Sequence, residues 1–403
     1  MGPLRRHRDF RLLLLGRGVS FLGAMVTYVA IPYQVYHLSG SSLLVGLLGL
    51  AELGPLLATA FLGGAFADAF DRRRMVQLTE LALAGASGVL LLNAALSPRV
   101  WVLFVVAAVM AALDGLQRPS LEALEPRLVE RDELPSAGAL SSLVTTAGMI
   151  GGPALGGGLI AAIGLPATYG FDVATFAVSL GALRLMRAVP PPPDAERPSL
   201  RGIAEGFRYA RGRPELLGTY GVDMVAMFFG MPNALFPALA VELGGGATLV
   251  GLLYAAPAVG ALLATATSGW VSRINRHGAA VCIAATGWGV GIVVVGLAPG
   301  VVLALVGLVV AGFADMVSGI FRGTIWNQTI PDRLRGRLAG IEQVSYSTGP
   351  LLGNVEAGVV AAVAGVRASI VSGGVLCIAG VAVAAALLPA FRRYEAAPVA
   401  SGA

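Results

Sequence analysis

Runs of about twenty apolar residues, the length a helix rising ~1.5 Å per residue needs to cross a bilayer core, follow one another along almost the whole chain. They cover 11–36, 43–67, 75–96, 100–121, 136–163 and 167–188, then 216–240, 248–271, 279–298, 301–326, 338–363 and 367–390. Segments this long and continuous must satisfy their backbone internally, which excludes strands and predicts helices. Only 13% of the 403 residues are charged, whereas a soluble domain carries about 25%, so the chain lacks the polar surface to coat a globule in water.

All 28 basic residues are arginines, and their placement carries the topology. Arg72 to Arg74 follow the second run, Arg127 and Arg131 the fourth, and Arg273 and Arg276 the eighth. Arg333, Arg335 and Arg337 follow the tenth, and Arg392 and Arg393 close the twelfth. The opposite loops hold only Arg99 and Arg367. With the basic N-terminus (Arg5, Arg6, His7, Arg8, Arg11) placed inside, both termini are expected in the cytoplasm of a multi-pass inner (plasma) membrane protein. The apolar run behind that N-terminus outlasts a signal peptide and shows no convincing cleavage site, so it is read as the first span. Cys282 and Cys377 both lie in apolar runs and give no disulfide framework.

The second half repeats the first. Val45-Gly46-Leu47-Leu48 returns as Val250-Gly251-Leu252-Leu253, Pro32 as Pro237, Gly64 as Gly269 and Pro126 as Pro331, each pair 205 positions apart (250 − 45, 331 − 126). Gly152-Pro153-Ala154-Leu155-Gly156 returns as Gly349-Pro350-Leu351-Leu352-Gly353 after a deletion. Six spans separate the copies, so both start on the same side and the repeat is parallel. The expected divisions are an N-terminal bundle, 1–189, a cytoplasmic linker, 190–214, a C-terminal bundle, 215–393, and a disordered tail, 394–403. The linker opens on four prolines, Pro190 to Pro193, and holds Arg197, Arg201, Arg208, Arg211 and Arg213. Near 199–211 it reads as an amphipathic helix with Leu200, Ile203, Phe207 and Tyr209 as its apolar contacts on the inner leaflet.

Two motifs carry a family resemblance. After the second span the chain reads Gly64-Ala65-Phe66-Ala67-Asp68-Ala69-Phe70-Asp71-Arg72-Arg73-Arg74, which resembles the loop motif of major facilitator transporters. There Gly64 would allow close helix approach, and Asp68 would cap a helix or latch an arginine; a plain positive-inside loop is the alternative. Ala69 replaces the usual basic residue and Asp71 the usual glycine, and the second copy keeps Gly269 but has Arg273 at the aspartate position. The fifth span carries Gly148-Met149-Ile150-Gly151-Gly152-Pro153-Ala154-Leu155-Gly156-Gly157, similar to the antiporter motif of the exporting branches. Its glycines form a flat groove for tight packing and Pro153 kinks the helix, although ordinary glycine packing would look the same.

The chain as a whole, over about residues 5–393, resembles the enterobactin (siderophore) exporter group and related macrolide-efflux proteins. Phe236-Pro237-Ala238-Leu239-Ala240, Gly251-Leu252-Leu253-Tyr254-Ala255-Ala256 and Leu334-Arg335-Gly336-Arg337-Leu338 carry that likeness. It implies an all-α integral membrane protein of the major facilitator fold, with twelve transmembrane helices in two six-helix bundles. It further implies alternating access, proton coupling and export of a siderophore or related metabolite. Multidrug or macrolide efflux is the alternative, and a non-transporting membrane sensor a second.

Ionisable groups inside spans cost about 2.5–3.5 kcal/mol each on insertion scales and so mark candidate machinery. Glu52, Asp223 and Glu356 are the proton-coupling candidates, with hydrogen-bonded packing as the other reading of Glu52. Arg17, Asp114, Arg118, Asp315, Arg322, Phe228 and Trp326 are the substrate-cavity candidates. Arg17 could equally snorkel to headgroups. Asp114, Arg118 and Glu122 share one helix face, as do Asp315 and Arg322, and either stripe could be a salt-bridged vestibule. Asp172 and Glu342 are further intramembrane acids.

The sequence has no Gly-Lys-Ser/Thr phosphate loop for ATP drive, and His7, His37 and His277 cannot join the two separate cysteines in a metal cluster. No enzyme, cofactor or nucleic-acid module is expected. The expected partners are the bilayer, a small-molecule substrate and protons, with the carrier a monomer.

Overall fold

A computed structural model describes residues 2–69, 71–189 and 208–395. Within its helices the side chains of 61–69, 332–333, 335–337, 339–341 and 343–344 lie outside the described set. The polyproline stretch, most of the expected linker helix and most of the tail therefore fall outside the description; Arg208 to Arg211 are helical.

The described residues are helical, with no strand among them. In chain order the helices are α1 (Gly2–Arg6), α2 (Arg8–Ser39), α3 (Ser42–Ala69), α4 (Arg72–Leu96), α5 (Val100–Leu124) and α6 (Leu134–Leu185). Then follow α7 (Pro214–Phe229), α8 (Phe236–Glu242), α9 (Ala247–Ala266), α10 (His277–Leu297), α11 (Val301–Thr329), α12 (Asp332–Ala364), α13 (Val366–Leu387) and α14 (Pro389–Arg392). Among the described residues ten helical stretches are long and apolar enough to cross a membrane. Outward-facing Leu78, Leu96, Val302, Val363 and Leu387 are each at least 65% exposed, a surface that suits lipid and not water.

Two apolar runs that the sequence separates, 136–163 and 167–188, are joined as α6, which breaks at Gly164 with φ 79° and ψ 170°. Gly365 makes the same turn between α12 and α13, at φ 91° and ψ 161°. Both conformations lie where a side chain would clash, so glycine makes each reversal possible. The run expected as one span at 216–240 is interrupted instead: α7 stops at Phe229, and Gly230 and Pro232 precede a 3₁₀ turn, Asn233–Leu235, before α8. Pro232 cannot continue the hydrogen-bond ladder of α7.

Contacts divide the chain into one unit of Met1–Pro198 with Ala240–Ala255 and another of Ser199–Leu239 with Ala256–Ala403. Within the first, α2 packs on α6, α3 on α5, and α4 on both α5 and α6. Within the second, α10 packs on α11 and α13, and α7 on α12 and α13.

Candidate functional site

The second unit gathers charge around one guanidinium. Asp315 and Arg322 stand two turns apart on α11 and hence on one face. The Arg322 guanidinium pairs with Asp223 of α7, both side chains being at most 5% exposed. Its Nη2 also lies 3.7 Å from Asp315 Oδ1, on a side chain that is 42% exposed. Two carboxylates around one cation meet the requirement that a buried charge be paired.

Aromatic rings wall this group. The Arg322 guanidinium carbon lies 5.3 Å from the centroid of Tyr346 on α12, within cation–π range. One turn beyond Arg322, Trp326 stacks on Tyr220 at 5.7 Å and meets Tyr346 edge-on at 6.3 Å. The Trp326 indole N–H donates to Thr219 Oγ1 at 2.9 Å, which fixes the ring. Half-buried Glu342 is within electrostatic reach of Arg322 and Asp223. The group thus joins one guanidinium to two carboxylates and two aromatic side chains, with Glu342 a third acid nearby.

Asp223, Asp315, Arg322 and Trp326 are thus brought together. Phe228 instead meets Phe229 edge-on at 4.9 Å. Glu356 stands fourteen residues past Glu342 on α12, ~21 Å by helical rise.

In the first unit Arg17 Nη1 lies 3.9 Å from Glu125 Oε2, and the Ser141 hydroxyl donates to the same carboxylate at 2.8 Å. Arg118 pairs with Glu122 at 3.1 Å on an exposed face of α5, with Asp114 within electrostatic reach. Glu52 of α3 is half-buried near Tyr254 of α9, whose ring meets Tyr28 of α2 edge-on at 5.3 Å. None of the ion pairs among the described residues involves Glu52 or Glu356.

The loop after α3 works as an anchor. The Gly64 and Asp68 side chains lie outside the described residues. Asp71 caps α4 by accepting from the Arg74 N–H at 3.0 Å, a use for the residue that stands where the resembling motif has glycine. Arg72 donates to the Ala123 carbonyl at 3.2 Å, and Arg73 donates to the Met186 carbonyl. Both cations therefore sit on the C-terminal ends of α5 and α6, where the helix dipoles are negative.

The fifth-span motif is a packing face. A Cβ at Gly148 would meet the Phe21 ring at 2.6 Å, one at Gly152 would overlap Met25, and one at Gly156 would lie 3.1 Å from Val26 Cα. These three glycines seat α6 on α2. Gly157 turns to α9, where a Cβ would stand 2.5 Å from the Ala247 carbonyl oxygen and 2.9 Å from Gly251 Cα. The repeated copy packs alike: a Cβ at Gly353 of α12 would lie 2.5 Å from the Met227 carbonyl oxygen of α7. Pro153 and Pro350 sit inside α6 and α12, each removing one helical hydrogen bond.

A polar seam runs between α2, α4 and α6, in which Asp172 is legible in the sequence as an intramembrane acid but its partners are not. Asp172, fully buried, accepts from the hydroxyls of Thr27 at 2.7 Å and Ser87 at 2.6 Å, with Thr175 at 3.4 Å. Glu80, 3% exposed, accepts from Ser20 at 3.2 Å, and Tyr169 donates to Gln34 at 2.8 Å. Ser20, Thr27 and Gln34 recur every seven residues on α2, the signal that marks them as one stripe. Asp172→Ala should lower the stability of the detergent-solubilised protein by about 2 kcal/mol, three intramembrane hydrogen bonds at ~0.6 kcal/mol each. Asp172→Asn keeps one acceptor oxygen and should cost under half as much; equal losses in chemical unfolding would contradict this role.

Long apolar helices packed through glycines, with apolar side chains on the outer surface and a buried ion pair between α7 and α11, define a polytopic membrane protein. The sequence profile of the transmembrane secretion effector family matches residues 1–401. The enterobactin exporter EntS of Citrobacter koseri is 30% identical over 410 residues, covering 99% of this chain and 97% of that protein. That of Shigella boydii is 30% identical over 404 residues, covering 98% and 95%. A bacterial homologue of the lysosomal transporter Spinster superposes with a TM-score of 0.73 at 15% identity, covering 97% of this chain and 98% of that one. A bacterial homologue of the iron transporter ferroportin gives 0.70 at 18%, covering 96% and 98%. The chain belongs to the transmembrane secretion effector family of the major facilitator superfamily, and it is a multi-pass membrane transporter, not an enzyme.

Proposed function

We propose that this protein exports a siderophore or a related small metabolite across the inner membrane, driven by inward proton flow through alternating access. The 30% identity to two enterobactin exporters, over nearly the full length of each, carries the reading. The Arg322 group supports it, since a guanidinium flanked by Tyr346 and Trp326 suits a solute with ionisable oxygens on aromatic rings. The same reading has twelve spans in two bundles, 1–189 and 215–393, joined by the 190–214 linker, with both termini cytoplasmic and the carrier a monomer. The arginine-rich loops support that orientation.

Glu52 is the preferred proton carrier because it makes no ion pair among the described residues, with Glu356 next. Asp223, already paired with Arg322, ranks third. Proteoliposomes with an imposed pH gradient test this. The wild type should move a catecholate siderophore uphill; macrolide movement in its place would favour drug efflux, and movement of neither would favour a sensor. Glu52→Gln should reduce uphill movement about 100-fold, a typical effect of losing a proton-transfer group, while leaving solute exchange without a gradient intact. Full uphill movement in both Glu52→Gln and Glu356→Gln would remove these residues from the coupling.

A further inference from the structure

A charged cavity of about 490 Å³ lies within the first unit where α2 begins and where α5 and α6 end. Among the described residues four arginines line it, Arg6, Arg8, Arg127 and Arg187, against one lining carboxylate, Asp9. Asp9 Oδ2 accepts from the Arg187 backbone N–H at 3.4 Å, tying the start of α2 to the end of α6. Glu133 already engages Arg6 at 3.5 Å and His7 at 2.6 Å. Arg8 and Arg187 make no ion pair among the described residues.

A positive-inside loop accounts for arginine at this end of the bundle, but not for its convergence on a cavity. Two independent features point to what fills it. The N-terminus of the 32-residue α2 enters the cavity through Arg8 and Asp9, and its N-cap His7 makes no side-chain cap, so the positive dipole end, offset in part by Asp9, adds to the arginines. Besides His7, the remaining described lining is apolar: Leu128, Ala188 and Val189, and Val189 continues into the buried cluster of Leu13, Val76, Leu124 and Met186. Guanidinium groups and a helix start on one side, with hydrocarbon on the other, match a phosphodiester attached to an apolar body.

We propose that this cavity binds the phosphate of an anionic phospholipid from the leaflet at that end of the bundle, with Arg8 and Arg187 as its principal contacts. Bound there, the headgroup would hold the start of α2 against the end of α6. The site shares no residue with the Arg322 group and does not depend on which solute the carrier moves.

Native mass spectrometry and thermal unfolding of the full-length protein in neutral detergent test the proposal, with short-chain phosphatidylglycerol, short-chain phosphatidylcholine and inorganic phosphate as probes. Phosphatidylglycerol should be retained and protective, and phosphatidylcholine not. Arg8→Gln with Arg187→Gln should weaken phosphatidylglycerol binding about 25-fold, each basic residue at a charged membrane surface being worth roughly a factor of five. The double lysine variant (Arg8→Lys, Arg187→Lys) should recover most of that loss, which separates charge from misfolding. Arg5→Gln, outside the cavity lining, should change nothing. Equal retention of both lipids, or unchanged phosphatidylglycerol binding in the glutamine variant, would overturn the site. Protection by millimolar phosphate equal to that by the lipid would overturn the lipid assignment in favour of a soluble phosphate.

Discussion

Replacing Arg322 by glutamine is expected to produce the largest loss in the molecule, in stability and in transport together. Asp223 is 5% exposed and its carboxylate faces the guanidinium directly, so the variant strands a charge inside the bundle. Removing one member of a buried pair costs about 3–5 kcal/mol, most of it the penalty on the partner left behind. Asp315 does not share that fate, because its side chain is 42% exposed. The double variant Arg322→Gln, Asp223→Asn should therefore regain most of the stability, since two neutral amides can hydrogen-bond where the ions paired. Transport should not return. If Arg322 holds an anionic solute, losing that contact lowers apparent affinity about 100-fold, and neutralising Asp223 cannot restore it. Unfolding in detergent and solute export from proteoliposomes measure the two quantities separately. A double variant that is stable and fully active would leave the pair as a structural clasp alone.

Sequence and structure agree where a property is local. The apolar runs are helical because length and hydrophobicity along one segment suffice to decide it. The reversal at Gly164 fell in the gap between two runs, and the seven-residue spacing of Asp315 and Arg322 put them on one face, as helical geometry requires. Partners from distant segments were not legible. Asp223 and Arg322 were assigned to different tasks because nothing in the sequence says that α7 and α11 meet there. Glu80 and Glu125 were passed over for the same reason: their roles come from Ser20 and Arg17, on α2. The break at Gly230 to Pro232 was missed because the apolar run continues through it, although the proline was a visible warning. Asp71 stands where the resembling motif has glycine, and the sequence alone gives it no task. It is the cap that starts α4 and aims Arg72 and Arg73 at the neighbouring helix ends.

The second large effect is expected at Gly157. In the fifth-span motif Gly148 and Gly151 face side chains, which can shift, whereas Gly156 and Gly157 face backbone, and Gly157 meets it more closely. A Cβ added to it would stand 2.5 Å from the Ala247 carbonyl oxygen and 2.9 Å from Gly251 Cα. Backbone within a helix cannot yield by a rotamer change, so even Gly157→Ala must push α6 and α9 apart. Overpacking of this kind costs about 1–3 kcal/mol, and Gly157→Leu should exceed that range. Gly251→Ala attacks the same contact from the other helix, because its Cβ would overlap the Pro153 carbonyl oxygen. The two alanine variants should thus be strongly non-additive, the second adding little once the helices have separated. Gly158 supplies the control, since a Cβ there meets nothing within 4 Å, and Gly158→Ala should unfold and transport like the wild type. A seam that excludes water only by close backbone contact should also leak when opened. Proteoliposomes carrying Gly157→Ala should dissipate an imposed pH gradient several-fold faster than those carrying Gly158→Ala. Equal dissipation with equal stability would reduce the motif to glycines that happen to sit on a helix, and would take with it the sequence argument for a sealed exporter.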